Sequence, residues 1–128
     1  MRGYTWAPAK PRRPVPPRLS DEAREKLAAK ISPVLAALKK RFPKKKERLF
    51  NWPIDIFVRW HHNSLYFVVV MKTPHGQPPE FEYKAARITP TSNGSFELAF
   101  PMRRGWNTFL KRASFEACLK GIREGVFF

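Results

Sequence analysis

Five consecutive residues, Arg103-Arg104-Gly105-Trp106-Asn107, set two guanidiniums and an indole around a flexible glycine. That combination suits single-stranded nucleic acid, because guanidiniums pair with phosphates and an indole offers a flat apolar surface for a base. Lys111 and Arg112 follow closely. A competing reading has Trp106 plugging the core between a strand and a helix, and the residues alone leave both open. The histidines carry less chemistry. His61 and His62 are adjacent and His75 sits in a separate polar stretch. Neighbouring side chains in a strand-like turn diverge, and no cysteine or close carboxylate completes a tetrahedral set, so no metal site is expected. Cys118 falls at helical spacing with Phe115, Leu119 and Ile122, which predicts a buried, unreactive thiol. No Ser/His/Asp arrangement or glycine-rich phosphate loop stands out, and no cofactor is expected.

Two further basic segments are candidates for contact with a polyanion. Pro8, Pro11, Pro14 and Pro17 recur every third residue, the repeat of a polyproline II helix, so they share one face. Lys10, Arg12, Arg13 and Arg18 charge this arm, and Tyr4 and Trp6 precede it. At ~3.1 Å per residue, Ala7 to Arg18 would span roughly 37 Å. Such a stiff segment loses less entropy on binding than a flexible one of equal length. The second segment runs from Lys39 to Arg48 and holds Lys39, Lys40, Arg41, Lys44, Lys45, Lys46 and Arg48 against one acid, Glu47. A helix C-terminus favours one or two cations in its last turn, so seven call for another explanation, and a polyanion supplies it.

The elements that must position these groups can be read from periodicity. Residues 1–18 form the arm and residues 19–128 a single domain. Ser20 is a good N-cap with Asp21 and Glu22 in the first turn. Leu27, Ile31, Val34, Leu35, Leu38 and Phe42 then recur at helical spacing up to Pro43. Pro33 interrupts them, which predicts a kink or two abutting helices with Ser32 as the second cap. Trp52, Ile54, Ile56, Val58 and Trp60 alternate with Asp55, Phe57 and Arg59, a strand with one face buried. After a turn at His61–Ser64, the continuous apolar run Leu65–Met71 predicts a central strand covered on both faces. Phe81, Tyr83 and Ala85 alternate with Glu82, Lys84 and Ala86 in a third strand. Asn93-Gly94 is a hairpin signal, and Phe96, Leu98 and Phe100 make a fourth. Arg103–Trp106 reads as a loop, and Ser114 caps a last helix ending at Gly125. The expected fold is α+β: arm, kinked helix, four-stranded antiparallel sheet, helix.

The second half resembles a set of small uncharacterised bacterial proteins. The stretches that carry the likeness are Phe81-Glu82 through Ala86-Arg87, Ser95–Phe100 with Met102-Arg103 and Trp106, and Ser114–Glu124. The resemblance covers roughly residues 50–128 and omits the arm. It implies the α+β order and transfers no functional residue.

An enzymatic alternative rests on a second likeness. Pro53-Ile54-Asp55 followed by Glu82-Tyr83-Lys84 resembles the metal-dependent nuclease pattern of an Asp and a later (Asp/Glu)-x-Lys. The resemblance implies that Asp55 and Glu82 hold Mg²⁺ and that Lys84 orients a water or steadies developing charge. Alternation places Glu82 and Lys84 on one strand face. However, the predicted strand at Leu65–Lys72 intervenes where the nuclease pattern has adjacent strands.

Length and charge bound what remains. The 128 residues fit one domain, and 25 Lys/Arg against 10 Asp/Glu give a net charge of +15. Residues 1–48 hold 15 of these cations and 4 of the acids. Asymmetry of this kind points to a nucleic-acid or membrane-surface contact made by one part of the molecule. The longest apolar run is far shorter than the roughly 20 residues of a membrane helix, so a cytoplasmic protein with no membrane partner is expected. The expected function is non-enzymatic nucleic-acid binding, RNA ahead of DNA, in association with the ribosome or another ribonucleoprotein. Besides the nuclease, the other alternative is an adaptor whose proline-rich arm docks on a protein.

Overall fold

The computed structural model describes residues 18–43, 50–74, 79–91 and 93–126; the arm up to residue 17 and the lysine-rich residues 44–49 lie outside them. Helix α1 (Asp21–Lys39) starts where the sequence places it. Ser20 Oγ accepts a hydrogen bond from the Ala23 amide at 3.1 Å, satisfying one of the orphan donors of the first turn. Ile31, Val34 and Leu38 form its buried stripe. The expected division at Pro33 does not occur: one helix runs through it, and Ser32 caps nothing. Pro33 and Ala29, whose carbonyl it deprives of a partner, are both exposed, so water can serve that oxygen. The buried residues on either side hold the flanking turns in place.

The sheet is a five-stranded antiparallel meander: β1 (Trp52–His61), β2 (Ser64–Lys72), β3 (Glu80–Pro90), β4 (Phe96–Pro101) and β5 (Trp106–Ala113), in that order. One strand more is present than the four expected. Trp106, read as the end of a loop, opens this strand, and the residues after it, given no element by the sequence pattern, pair with β4 through two register shifts, with Phe96 opposite Ala113, Leu98 opposite Leu110 and Ala99 opposite Thr108. Each shift breaks the period of two that makes a strand legible, and Arg112 takes a φ of 52°. Phe109, 58% exposed, further blurs the pattern.

Two more bulges correct the expected alternation. A shift between Pro53 and Asp55 turns Ile54 outward, leaving it 40% exposed although it shares parity with the buried Ile56. A shift opposite Phe67 and Val68 leaves Ala85 without a partner and sends both Ala85 and Ala86 to the core, where strict alternation puts only one.

Helix α2 (Phe115–Gly125) is capped by Ser114 Oγ, which accepts from the Ala117 amide at 3.0 Å, and buries Phe115, Cys118, Leu119, Gly121 and Ile122. At Gly121 a Cβ would meet Leu98 Cδ2 at 2.6 Å, so the absence of a side chain sets how closely α2 approaches β4. One core joins the two helices to Ile56, Leu65, Phe67, Val69, Ile88 and Leu98, with α1 lying along β1 and α2 along β4 and β5. The Lys30 and Glu116 side chains pair between the helices. Arg41 crosses the same junction, donating to the carbonyls of Arg123 and Val126. Both helices therefore cover one face of the sheet, and among the described residues no helix lies over the other face. No helix among the described residues is long and apolar enough to cross a membrane.

Candidate nucleic-acid interface

Antiparallel pairing fixes which residues share the helix-free face, because cross-strand partners point the same way. One row crosses all five strands: Arg59, Tyr66, Arg87, Ala99 and Thr108. The neighbouring row holds Phe57, Val68 and Lys84. Val68 is 1% exposed even on this open side, so the surface rests on an apolar floor. Above it, rings and cations alternate. The Lys84 ammonium stands 4.5 Å from the centre of the Tyr66 ring, the Arg87 guanidinium carbon 4.6 Å from the Trp106 ring, and that of Arg59 5.2 Å from the Phe57 ring.

Trp106 opens β5 two residues before Thr108 and faces the same way. To reach Arg87 on β3 and Tyr66 on β2, its ring must lean across β4, where the row contributes only the methyl of Ala99. The Tyr66 and Trp106 rings lie 5.8 Å apart, tilted at 59°. Trp106 is thus half-buried on the open sheet face and is no plug between strand and helix. The β4–β5 turn beside it is closed by a hydrogen bond from the Met102 amide to the Gly105 carbonyl at 2.9 Å, with Gly105 at φ +83°. Arg103 and Arg104 are exposed at its tip.

The electrostatics of this face are lopsided. Glu82 is paired with Arg59 at 3.2 Å. Lys84 and Arg87 have no carboxylate partner among the described residues, and Arg87 Nε is buried without a hydrogen-bond acceptor there. A cation over an aromatic ring is worth about 0.5–1 kcal/mol at exposed sites and about 2 kcal/mol when desolvated, and a base stacked on such a ring roughly 1–3 kcal/mol. A stacked base is therefore of a size to compete with either cation for its ring.

The remaining predicted contacts divide into three groups. Lys10, Arg12, Arg13, Lys44, Lys45, Lys46 and Arg48 lie outside the described residues. Lys39 and Arg41 have structural partners: Lys39 pairs with Asp55 at 3.2 Å, and Arg41 holds the end of α2. Arg18, Lys40 and Lys111 are exposed. An open groove of about 610 Å³ runs between the helices, lined by Lys30, Arg41, Lys120 and Arg123 and by Glu116 and Glu124. Its charges are mixed, and the hydrogen bond from Lys30 holds the Glu116 carboxyl below the usual carboxylate range.

No family model matches this chain, and neither curated proteins nor solved structures give a match. The residues themselves must carry the functional reading. For the nuclease pattern, Asp55 and Glu82 both lie opposite Val70, on the two strands that flank β2. Asp55 is taken up by Lys39 and by the Ile56 amide at 2.9 Å, and Glu82 by Arg59. Among the described residues no three His, Cys, Asp or Glu side chains gather to hold a metal. His61 and His62 contact each other at 4.1 Å beside the β1–β2 turn. Burial pushes the Cys118 thiol up to about 11. Trp106, Arg103 and Arg104 stand out in the sequence as candidates, whereas Phe57, Arg59, Tyr66, Lys84 and Arg87, which share the open face, do not.

Proposed function

We propose that this protein binds nucleic acid without chemically altering it, with RNA the favoured form and a ribonucleoprotein particle the favoured setting. The observation that carries the reading is the pair of cations, Lys84 and Arg87, held over Tyr66 and Trp106 on the sheet face that neither described helix covers. They have no carboxylate to neutralise them among the described residues. A net charge of +15 draws polyanions to the molecule, and rings interleaved with cations favour those that carry bases. The arm and the Lys39–Arg48 run, apart from Lys39 and Arg41 with their partners in the fold, would add phosphate contacts that position the ligand without reading sequence. Nothing in the described carboxylates favours metal-dependent cleavage over this reading, since Asp55 and Glu82 each face a cation of the chain.

The test keeps the rings and removes the charge. Lys84→Gln with Arg87→Gln should bind labelled RNA at least about tenfold more weakly at low salt, the loss of two phosphate partners, while circular dichroism is retained. Unchanged affinity in the folded double variant contradicts the assignment of this face.

A further inference from the structure

Resting on that reading, we infer that the helix-free sheet face selects single-stranded nucleic acid, stacking bases on Tyr66 and Trp106 while Arg103 and Arg104 hold the backbone that leaves Trp106. The two rings come from different strands, β2 and β5, and the arginine pair from the β4–β5 turn, and three features of the fold bring them together. The bulge at Ala85 puts Lys84 and Arg87, three positions apart, on the same face. Ala99 is small enough for the Trp106 ring to cross β4. The tight turn at Gly105 delivers two exposed guanidiniums within three residues of the indole.

A duplex cannot use this surface in the same way. Its bases are stacked and paired, so it presents phosphates but no free base face, and rings half-buried against a sheet have no edge with which to read a groove. A single strand can splay successive bases onto the Tyr66 and Trp106 rings, whose centres lie 5.8 Å apart. Lys84 and Arg87, displaced from those rings, stay within reach of the phosphates of the same nucleotides. Stacking is tolerant of base identity, so the face distinguishes strandedness rather than sequence.

The experiment compares the full chain with Tyr66→Leu plus Trp106→Leu, by anisotropy on a short fluorescein-labelled oligouridylate and on an RNA duplex with the same number of phosphates. The expected result is a loss of about tenfold or more on the single strand, with duplex affinity unchanged within about twofold. Equal losses on both, or no loss on either, overturn the inference while leaving nucleic-acid binding in place; failure of the unaltered protein to bind either ligand instead overturns the broader reading. Tyr66→Phe with Trp106→Phe should keep most of the single-strand affinity, because phenyl rings still stack. If the leucine pair fails to fold, tryptophan emission decides. The oligouridylate should quench the unaltered protein and quench Trp106→Phe much less; equal quenching overturns the inference.

Discussion

Arg87 lies with its guanidinium carbon 4.6 Å from the centre of the Trp106 ring, two strands away across Ala99. This relationship ties β3 to the last strand over the top of β4, and it depends on how little Ala99 contributes to the exposed side. Ala99→Leu should therefore block the passage of the indole. We expect Trp106 to become more exposed, seen as a red shift in its emission. Ala99 is itself almost fully buried, so the crowding should cost about 1–3 kcal/mol of stability. An unshifted emission spectrum in a folded variant contradicts the described path of the ring.

The close approach of α2 to β4 gives a second prediction. At Gly121 an added Cβ would stand 2.6 Å from Leu98 Cδ2, a buried atom with little room to retreat. Gly121→Ala should lower stability by about 1–3 kcal/mol despite the better helix propensity of alanine. Denaturant unfolding measures this, and an alanine variant as stable as the parent would mean that α2 sits farther from β4.

Much of this arrangement is legible in the sequence. Ser20 and Ser114 act as caps because a short hydroxyl side chain suits an orphan amide at a helix start, and that rule is local. The fifth strand is hidden because bulges interrupt its alternation against Leu98 and Ala99. The cluster of rings and cations is hidden for a related reason. Tyr66 sits in the run Leu65–Met71, where both strand faces are apolar and no alternation marks which side a ring takes. Lys84 and Arg87 have the wrong parity to share a face until the bulge at Ala85 shifts the phase. Trp106 could be singled out from its arginine neighbours, but its contacts depend on pairing across β3 and β4, which no local pattern encodes.

Cys118 supplies a test of the core through pH. Burial raises its thiol from the usual value of 9.0 to about 11, so the folded state favours the neutral form. The stability this contributes is full below about pH 9 and is lost as pH rises through 11. The thiol should react with a disulfide reagent at pH 8 much more slowly in the native protein than in denaturant. Equal rates would show that α2 does not shield it.

The claim that cations on this chain meet phosphates is tested most directly by the salt dependence of binding. Affinity for a labelled RNA, followed by anisotropy, should fall by about 10³–10⁵ between 50 and 200 mM salt if six to ten phosphates are contacted. Replacing Lys84 and Arg87 by glutamine should reduce the slope of log affinity against log salt by about one to two. A flat salt response, or a slope that the double replacement leaves unchanged, would contradict the account.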